Sequence, residues 1–202
     1  MNRYVERLIL DADREMEKIG FFEHGLIHSE KVAGVTKEIL LAAGYDDLAE
    51  HGYMAGIIHD IGNVFGRKDH HLTGSVLSRY VLDNLGYEEH EIALISEAIA
   101  NHIHPIVEET SPMSSALLIA DKVDLRRSRV RVERNGLNRN VTYSDFVIDK
   151  ENRTFTFVVH FRDEILEEEF KDIYGLKLSM CEREAARLGY EFRYRLELDD
   201  GE

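Results

Sequence analysis

From residue 2 to about residue 125 the apolar positions recur every three or four residues, the period of a helix with one buried face, and glycines break the pattern at intervals. The first helix is expected over roughly 2–19, stopped by Gly20. The second runs from about Gly25 to Ala43, with Val32, Val35, Ile39 and Leu40 on one side and Gly44 as its stop. Asp46 or Asp47 can cap a third that continues through Ile61 to the breaker Gly62. Thr73 to Leu85 forms a fourth, ended by Gly86, and Tyr87 to His102 a fifth, striped by Ile92, Ile95 and Ile99. Ser111-Pro112 pairs a capping hydroxyl with a proline in the first turn, and opens a sixth helix through about Leu125.

The period changes after about residue 138. Thr154-Phe155-Thr156-Phe157-Val158-Val159 is β-branched and aromatic and reads as a strand. Val141 to Ile148 can pair with it across a turn at Asp149-Lys150-Glu151-Asn152. A helix is expected from about Glu164 to Leu188, stopped by Gly189, and then a half-buried strand in which Phe192, Tyr194, Leu196 and Leu198 alternate with polar residues. The fold class is therefore mainly α: a helical domain over residues 1–130, then a linker and a small α+β unit over 131–202. The arginine-rich stretch Arg126 to Arg139 joins the two.

Composition narrows the partners. The net charge of −14 disfavours nucleic acid polymers and anionic membranes. No run of about 18 apolar residues is present to span a bilayer, and no charged start followed by an apolar run marks a signal peptide. The single cysteine, Cys181, excludes an internal disulfide framework and fits a cytoplasmic location. A hydrophobic content of 44% over 202 residues is enough for a sizeable core.

The chemistry lies in polar residues set on or beside the apolar segments: His28, His59, Asp60, His70, His102 and Asp121. Polar groups in such places must be hydrogen-bonded, paired or bound to metal. Imidazole and carboxylate suit divalent first-row metals without sulfur. Six such residues exceed the needs of one tetrahedral zinc, and fit one octahedral ion or two ions sharing the central carboxylate. Most fall at helix ends or in loops, which can converge on a cleft while the helices hold the geometry. Asp121 lies inside the sixth helix, in an i, i+4 stripe with Leu117 and Leu125.

Three segments carry a family resemblance. Gly25-Leu26-Ile27-His28-Ser29-Glu30-Lys31-Val32-Ala33, Gly56-Ile57-Ile58-His59-Asp60-Ile61-Gly62-Asn63 and Ile119-Ala120-Asp121-Lys122-Val123-Asp124 resemble, in order, the motifs of the HD-domain superfamily of metal-dependent phosphohydrolases. The resemblance covers roughly residues 20–130 and implies a helical bundle. His70, four residues before Gly74, and His102 in Ala98-Ile99-Ala100-Asn101-His102 are placed like the next two histidines of the HD-GYP branch. Carried over, this implies a dinuclear centre with His28, His59, Asp60, His70, His102 and Asp121 as ligands and Asp60 bridging. The implied ions are two divalent metals, Mn or Fe first, with Mg, Ni, Co or Zn also compatible. The chain departs from the branch at Asn63, where Lys is usual, and at Ile103, where the second of a histidine pair is displaced to His104. No Gly-Tyr-Pro follows, so cyclic-dinucleotide specificity does not transfer. The resemblance does not extend to the C-terminal unit.

These residues predict a phosphohydrolase. Two divalent ions lower the pKa of a shared water and present hydroxide near neutral pH. The substrate is then a small phosphomonoester or phosphodiester, a nucleotide among the options, with no requirement for polymer or membrane, and a homodimer is compatible. Asp60 and Lys122 are the expected catalytic groups, Lys122 neutralising developing phosphate charge. Arg126, Arg127, Arg129 and His104 are the expected substrate contacts, since guanidinium forks match phosphate, although the same arginines can instead pair with the acidic surface. His71 reads as solvent-exposed, and His24, His51, His90 and His160 as surface or packing residues. Asp124 is placed to hydrogen-bond a ligand histidine. Two other functions share this ligand order: a diiron oxygenase of the same superfamily, and a regulatory nucleotide-binding module without turnover.

Overall fold

The computed structural model describes residues 2–104, 110–131, 137 and 140–199. Six α-helices come first: α1 (Arg3–Lys18), α2 (Leu26–Ala43), α3 (Ala49–Ile58), α4 (His70–Asn84), α5 (Glu89–Asn101) and α6 (Pro112–Lys122). A three-stranded sheet and a long helix follow: β1 (Val141–Asp149), β2 (Thr154–Phe161), α7 (Glu167–Arg187) and β3 (Glu191–Leu198). Most of the Arg126–Arg139 stretch beyond Arg131 lies outside the described residues.

Several boundaries differ from those the sequence predicts. α3 ends at Ile58, not Ile61; the chain then passes through His59 and Asp60 into a 3-10 turn, Ile61–Phe65. Gly62 is therefore not a helix stop. A Cβ on it would lie 2.0 Å from the carbonyl oxygen of His70 and 2.4 Å from Gly74 N, so the turn presses backbone to backbone against α4. Gly56 does the same on the other side, where a Cβ would fall 2.4 Å from Ala33 Cα and hold α3 away from α2. These two bare backbones let α2, α3 and α4 converge. α4 begins at His70 rather than Thr73, capped by Asp69 in the left-handed region at φ 55°. α6 ends at Lys122, three residues short of expectation.

The second half forms the three strands and the helix that its sequence predicts. β1 and β2 form an antiparallel hairpin, in register from Asp149 opposite Thr154 to Val141 opposite Phe161, with an irregularity between Val141 and Tyr143. β2 is central and pairs in parallel with β3, Phe155 beside Phe192 and Phe157 beside Tyr194. Parallel neighbours need a crossover, which α7 supplies. On β2, Phe155 stacks on Tyr190, Phe157 packs on Tyr174 and Phe161 on Phe170 of α7, and all three share one core with Val32, Ile58, Ile99 and Leu117 of the helices.

Polar contacts fasten the sheet and α7 to the helices. Ser144 Oγ on β1 donates to Val123 O (2.7 Å) and accepts from Leu125 N (3.0 Å), and Lys31 Nζ donates to Ser144 O (2.8 Å). Tyr190 donates to Ala42 O (2.6 Å) at the end of α2, and the Tyr174 hydroxyl donates to Lys122 O. Glu184 of α7 is fully buried and accepts from Ser115 Oγ of α6 (2.8 Å) and Thr110 Oγ1 (2.9 Å). These bonds fix the chain around Asp121 and Asp124.

Candidate metal centre

Each expected ligand is delivered by the end of an element. His28 is the third residue of α2, His59 caps the C-terminus of α3, and Asp60 opens the following turn. His70 is the first residue of α4, His102 caps the C-terminus of α5, and Asp121 lies in the last turn of α6. All except Asp121 are buried, and Asp121 is half-buried. The rings stand edge to face in a chain, His28 to His59 at 5.1 Å, His59 to His102 at 5.1 Å and His102 to His70 at 5.3 Å.

The histidines are oriented alike. Nδ1 of His59 donates to Gly56 O (2.8 Å), that of His70 to Arg67 O (2.9 Å) and that of His102 to Ile99 O (2.6 Å). His28 Nδ1 faces Asp124 Oδ2 at 2.8 Å. A carbonyl or carboxylate only accepts, so Nδ1 carries the proton and Nε2 turns its lone pair inward. All four Nε2 atoms face Asp60. Its Oδ2 lies 3.7 Å from His28 Nε2 and 3.3 Å from His59 Nε2. Its Oδ1 lies 3.1 Å from His70 Nε2 and 3.9 Å from His102 Nε2. Asp121 Oδ1 completes the first half, 3.4 Å from His28 Nε2 and 3.8 Å from His59 Nε2.

These residues fit a metal. Among the described residues His28 Nε2 and His59 Nε2 are buried with no hydrogen-bond partner, an arrangement that is costly unless a cation takes the lone pairs. Ligand atoms about 2.0–2.2 Å from one ion lie roughly 3 to 4 Å from each other, the separations seen here. His28, His59 and Asp121 form one group able to hold an ion, and His59, Asp60 and His102 another. The donor set is nitrogen and oxygen only, suited to first-row divalent ions.

Electrostatics favour the same occupant. Burial resists charge on Asp60, but His59, His24 and His70 outweigh it and hold the carboxyl well below its usual range. Burial acts equally on Asp121, and Lys122 with His28 and His59 holds it low. Burial alone would lower His59; without a metal the two carboxylates overcome it and push the imidazole up to about 10, so that a proton takes the place at Nε2 that a metal cation would hold. The carboxylates thus demand positive charge at their meeting point. Burial keeps His102 well below its ordinary value, leaving it in the neutral form that ligates metal. Asp124 is likewise opposed by burial and held far below the carboxylate range by His28, Arg126 and Arg129.

The remaining expected residues divide. Lys122 Nζ bonds Asp121 Oδ2 (2.7 Å) and His102 O (3.2 Å), at the centre itself. Arg126 grips Asp124 through Nε (2.7 Å) and Nη2 (3.0 Å), and Arg129 Nη1 donates to Asp124 O (2.7 Å). Arg126, Arg129 and His104 line a cavity of about 380 Å³ that also reaches Asp121, Lys122 and His24; Arg127 does not line it. His71 is half-buried, with its ring 5.9 Å from that of His70, and burial with the charge of His70 lowers its pKa.

Two residues escape a reading of the sequence. His24 is neither at the surface nor a mere packing residue: it is 4% exposed, its Nδ1 donates to Phe22 O (2.6 Å), and its Nε2 faces Asp60 Oδ2 at 3.7 Å. Burial holds its pKa well below the ordinary value. It precedes α2 in an irregular segment whose path is set by Asp13 Oδ1, which accepts from His24 N (2.7 Å). The only signal in the sequence is its place four residues before His28. Arg67, seven residues after Asp60, points its Nη1 into the centre, 2.9 Å from His70 Nε2, 3.3 Å from Asn63 Oδ1 and 3.5 Å from Asp60 Oδ1.

A helical bundle whose element ends converge four histidines and two aspartates on one buried point defines a His/Asp metal-centre protein. The family model of the HD domain matches residues 25–126, and the chain belongs to that family. Among solved structures it is similar to the crystal structure of a predicted HD superfamily hydrolase from an uncultured Thermotogales bacterium, with 22% identity and a TM-score of 0.48 over 60% of this chain and 66% of that one. No curated protein matches the chain.

Proposed function

We propose that this protein is a metal-dependent phosphohydrolase acting on a small phosphate ester whose organic part is apolar or aromatic, a nucleotide being one such compound. The observation that carries the reading is the division of Asp60: its two oxygens face two different histidine pairs, as a carboxylate shared by two ions requires. Divalent metal held by His28, His59, Asp60, His70, His102 and Asp121 would supply Lewis acidity and an activated water.

The chain's own residues supply the rest. Lys122 is held by Asp121 and the His102 carbonyl at the cavity floor, where its ammonium can stabilise charge building on phosphorus-bound oxygens. Asp124, clamped by Arg126 and Arg129, fixes the ring of His28. Phe21, Phe22, Ile173, Leu176 and Met180 give the same cavity an apolar lining, which excludes water from an organic group seated there. Lys177 of α7 lines the same cavity with its ammonium 4.3 Å above the Tyr174 ring, offering a cation to an anionic substrate that the net charge of −14 would otherwise repel. A reducing cytoplasm accords with a single buried cysteine.

The test is an anaerobic panel of nucleotides and aryl phosphates with chelator-stripped, Mn²⁺-reloaded protein. Release of phosphate from at least one compound, abolished by chelator, is the expected result. Turnover that needs dioxygen and releases no phosphate would replace this reading with the oxygenase. A nucleotide that binds and survives intact would leave a regulatory module.

A further inference from the structure

The two halves of the centre are not equivalent. In the half formed by His28, His59 and Asp121, the imidazole Nε2 atoms of both histidines have no hydrogen-bond partner among the described residues. In the other half the protein supplies a cation of its own. His70 donates its Nδ1 proton to Arg67 O (2.9 Å), so its Nε2 is a lone pair, and Arg67 Nη1 donates to that lone pair at 2.9 Å. The same nitrogen lies 3.5 Å from Asp60 Oδ1, the oxygen that faces His70 and His102.

Other contacts hold the guanidinium in place. Asn63 Oδ1 accepts from the same Nη1 at 3.3 Å, and the guanidinium carbon sits 4.9 Å from the centroid of the Phe21 ring. Guanidinium does not lose its proton in proteins, so its charge cannot be removed by a change of pH; it can leave only by moving. The cavity beside the centre gives it somewhere to go, because Arg67 already lines that wall.

We infer that Arg67 is an internal counter-cation of the second half-site, so that the centre binds one ion tightly between His28, His59, Asp60 and Asp121 and a second only by displacing Arg67 from His70 and Asp60. The inference rests on the metal-centre reading above but not on hydrolysis. The displaced guanidinium enters the substrate cavity, where it can meet a phosphate. Arg67 acts here as a positioning residue for the second ion.

Chelator-stripped protein titrated with Mn²⁺ tests this by calorimetry and electron paramagnetic resonance, with no substrate present. Wild type should take one ion tightly and a second more weakly, the spin-coupled pair signal appearing only with the second. Arg67→Met should strengthen the second step by about tenfold or more while changing the first far less. Arg67→Gln serves the same purpose if the methionine variant folds poorly. Lys177→Met removes a cation from the same cavity and makes no described contact with His70 or Asp60, so it should leave the second step unchanged. Two equal steps in wild type would overturn the inference. So would an unaltered second step in both Arg67 variants, or an equal gain in Lys177→Met. A protein that shows the unequal steps yet hydrolyses nothing would refute the proposed function and leave this inference standing.

Discussion

His28 and Asp124 meet across 96 residues of sequence through a 2.8 Å contact between Nδ1 and Oδ2. The partner of a metal-facing imidazole fixes both its tautomer and its aim, and its loss typically costs 10–100-fold in metal affinity. Asp124→Asn should therefore weaken Mn²⁺ binding about 10–100-fold, measured by competition with a chelator. Asp124→Ala should also lower stability, because Arg126 and Arg129 lose a buried partner. An unchanged affinity in the asparagine variant would mean that His28 is oriented by packing alone.

Asp60 is the residue on which both halves depend. Asp60→Ala should strip both ions as read by elemental analysis, whereas His70→Ala should lose only the second. His71→Ala should keep both, since its ring lies outside the cluster and 6.4 Å from that of His102. Metal loss on His71→Ala but not on His70→Ala would reverse the assignment within that pair.

Gly62 tests the packing that assembles the centre. A methyl there meets backbone atoms of His70 and Gly74 at 2.0 and 2.4 Å, and backbone cannot yield as a side-chain tip does. Overpacking of this kind costs about 1–3 kcal/mol or more, so Gly62→Ala should lower the denaturant midpoint and weaken metal binding together. At Gly74 the nearest contacts of an added Cβ are 3.3 Å, and Gly74→Ala should cost less.

Cys181 gives a pH-dependent prediction away from the centre. Burial pushes its thiol up to about 12. The unfolded thiol ionises near 8.5, so its contribution to stability is complete below that pH. It is lost as pH rises toward about 12, because only the unfolded state then gains from losing the proton. Denaturation midpoints should fall between pH 8 and pH 10.5 more steeply in wild type than in Cys181→Ala. A thiol reagent at pH 8 should react only with unfolded protein; rapid labelling of the native chain would show that α7 opens.

Much of this arrangement is legible in the sequence, because helix ends marked by glycine and caps coincide with the His and Asp motifs. The limits are equally physical. Gly62 reads as a stop, yet its role is close approach to α4, a tertiary fact that local periodicity does not encode. Arg126 and Arg129 suit carboxylate and phosphate alike, and the structure places them on Asp124 while they line the cavity. His24 and Arg67 lie in irregular segments, where no period predicts which way a side chain points. The hairpin is readable from β-branched and aromatic content and β3 from alternation, whereas the parallel pairing of β2 with β3 depends on where a 21-residue helix returns the chain.

That return has a consequence for biogenesis. β2 is the central strand, and its second edge is covered only when residues 191–198 arrive. During synthesis the apolar run Phe155 to Phe161 must wait for more than 30 residues with one edge bare, a state prone to pairing with other nascent chains. β1, which carries Ser144 against Val123 and Leu125 beside Asp124, is braced by that same strand. The brace around Asp124 therefore depends on residues synthesised after the five helices, α2 to α6, that supply the ligands.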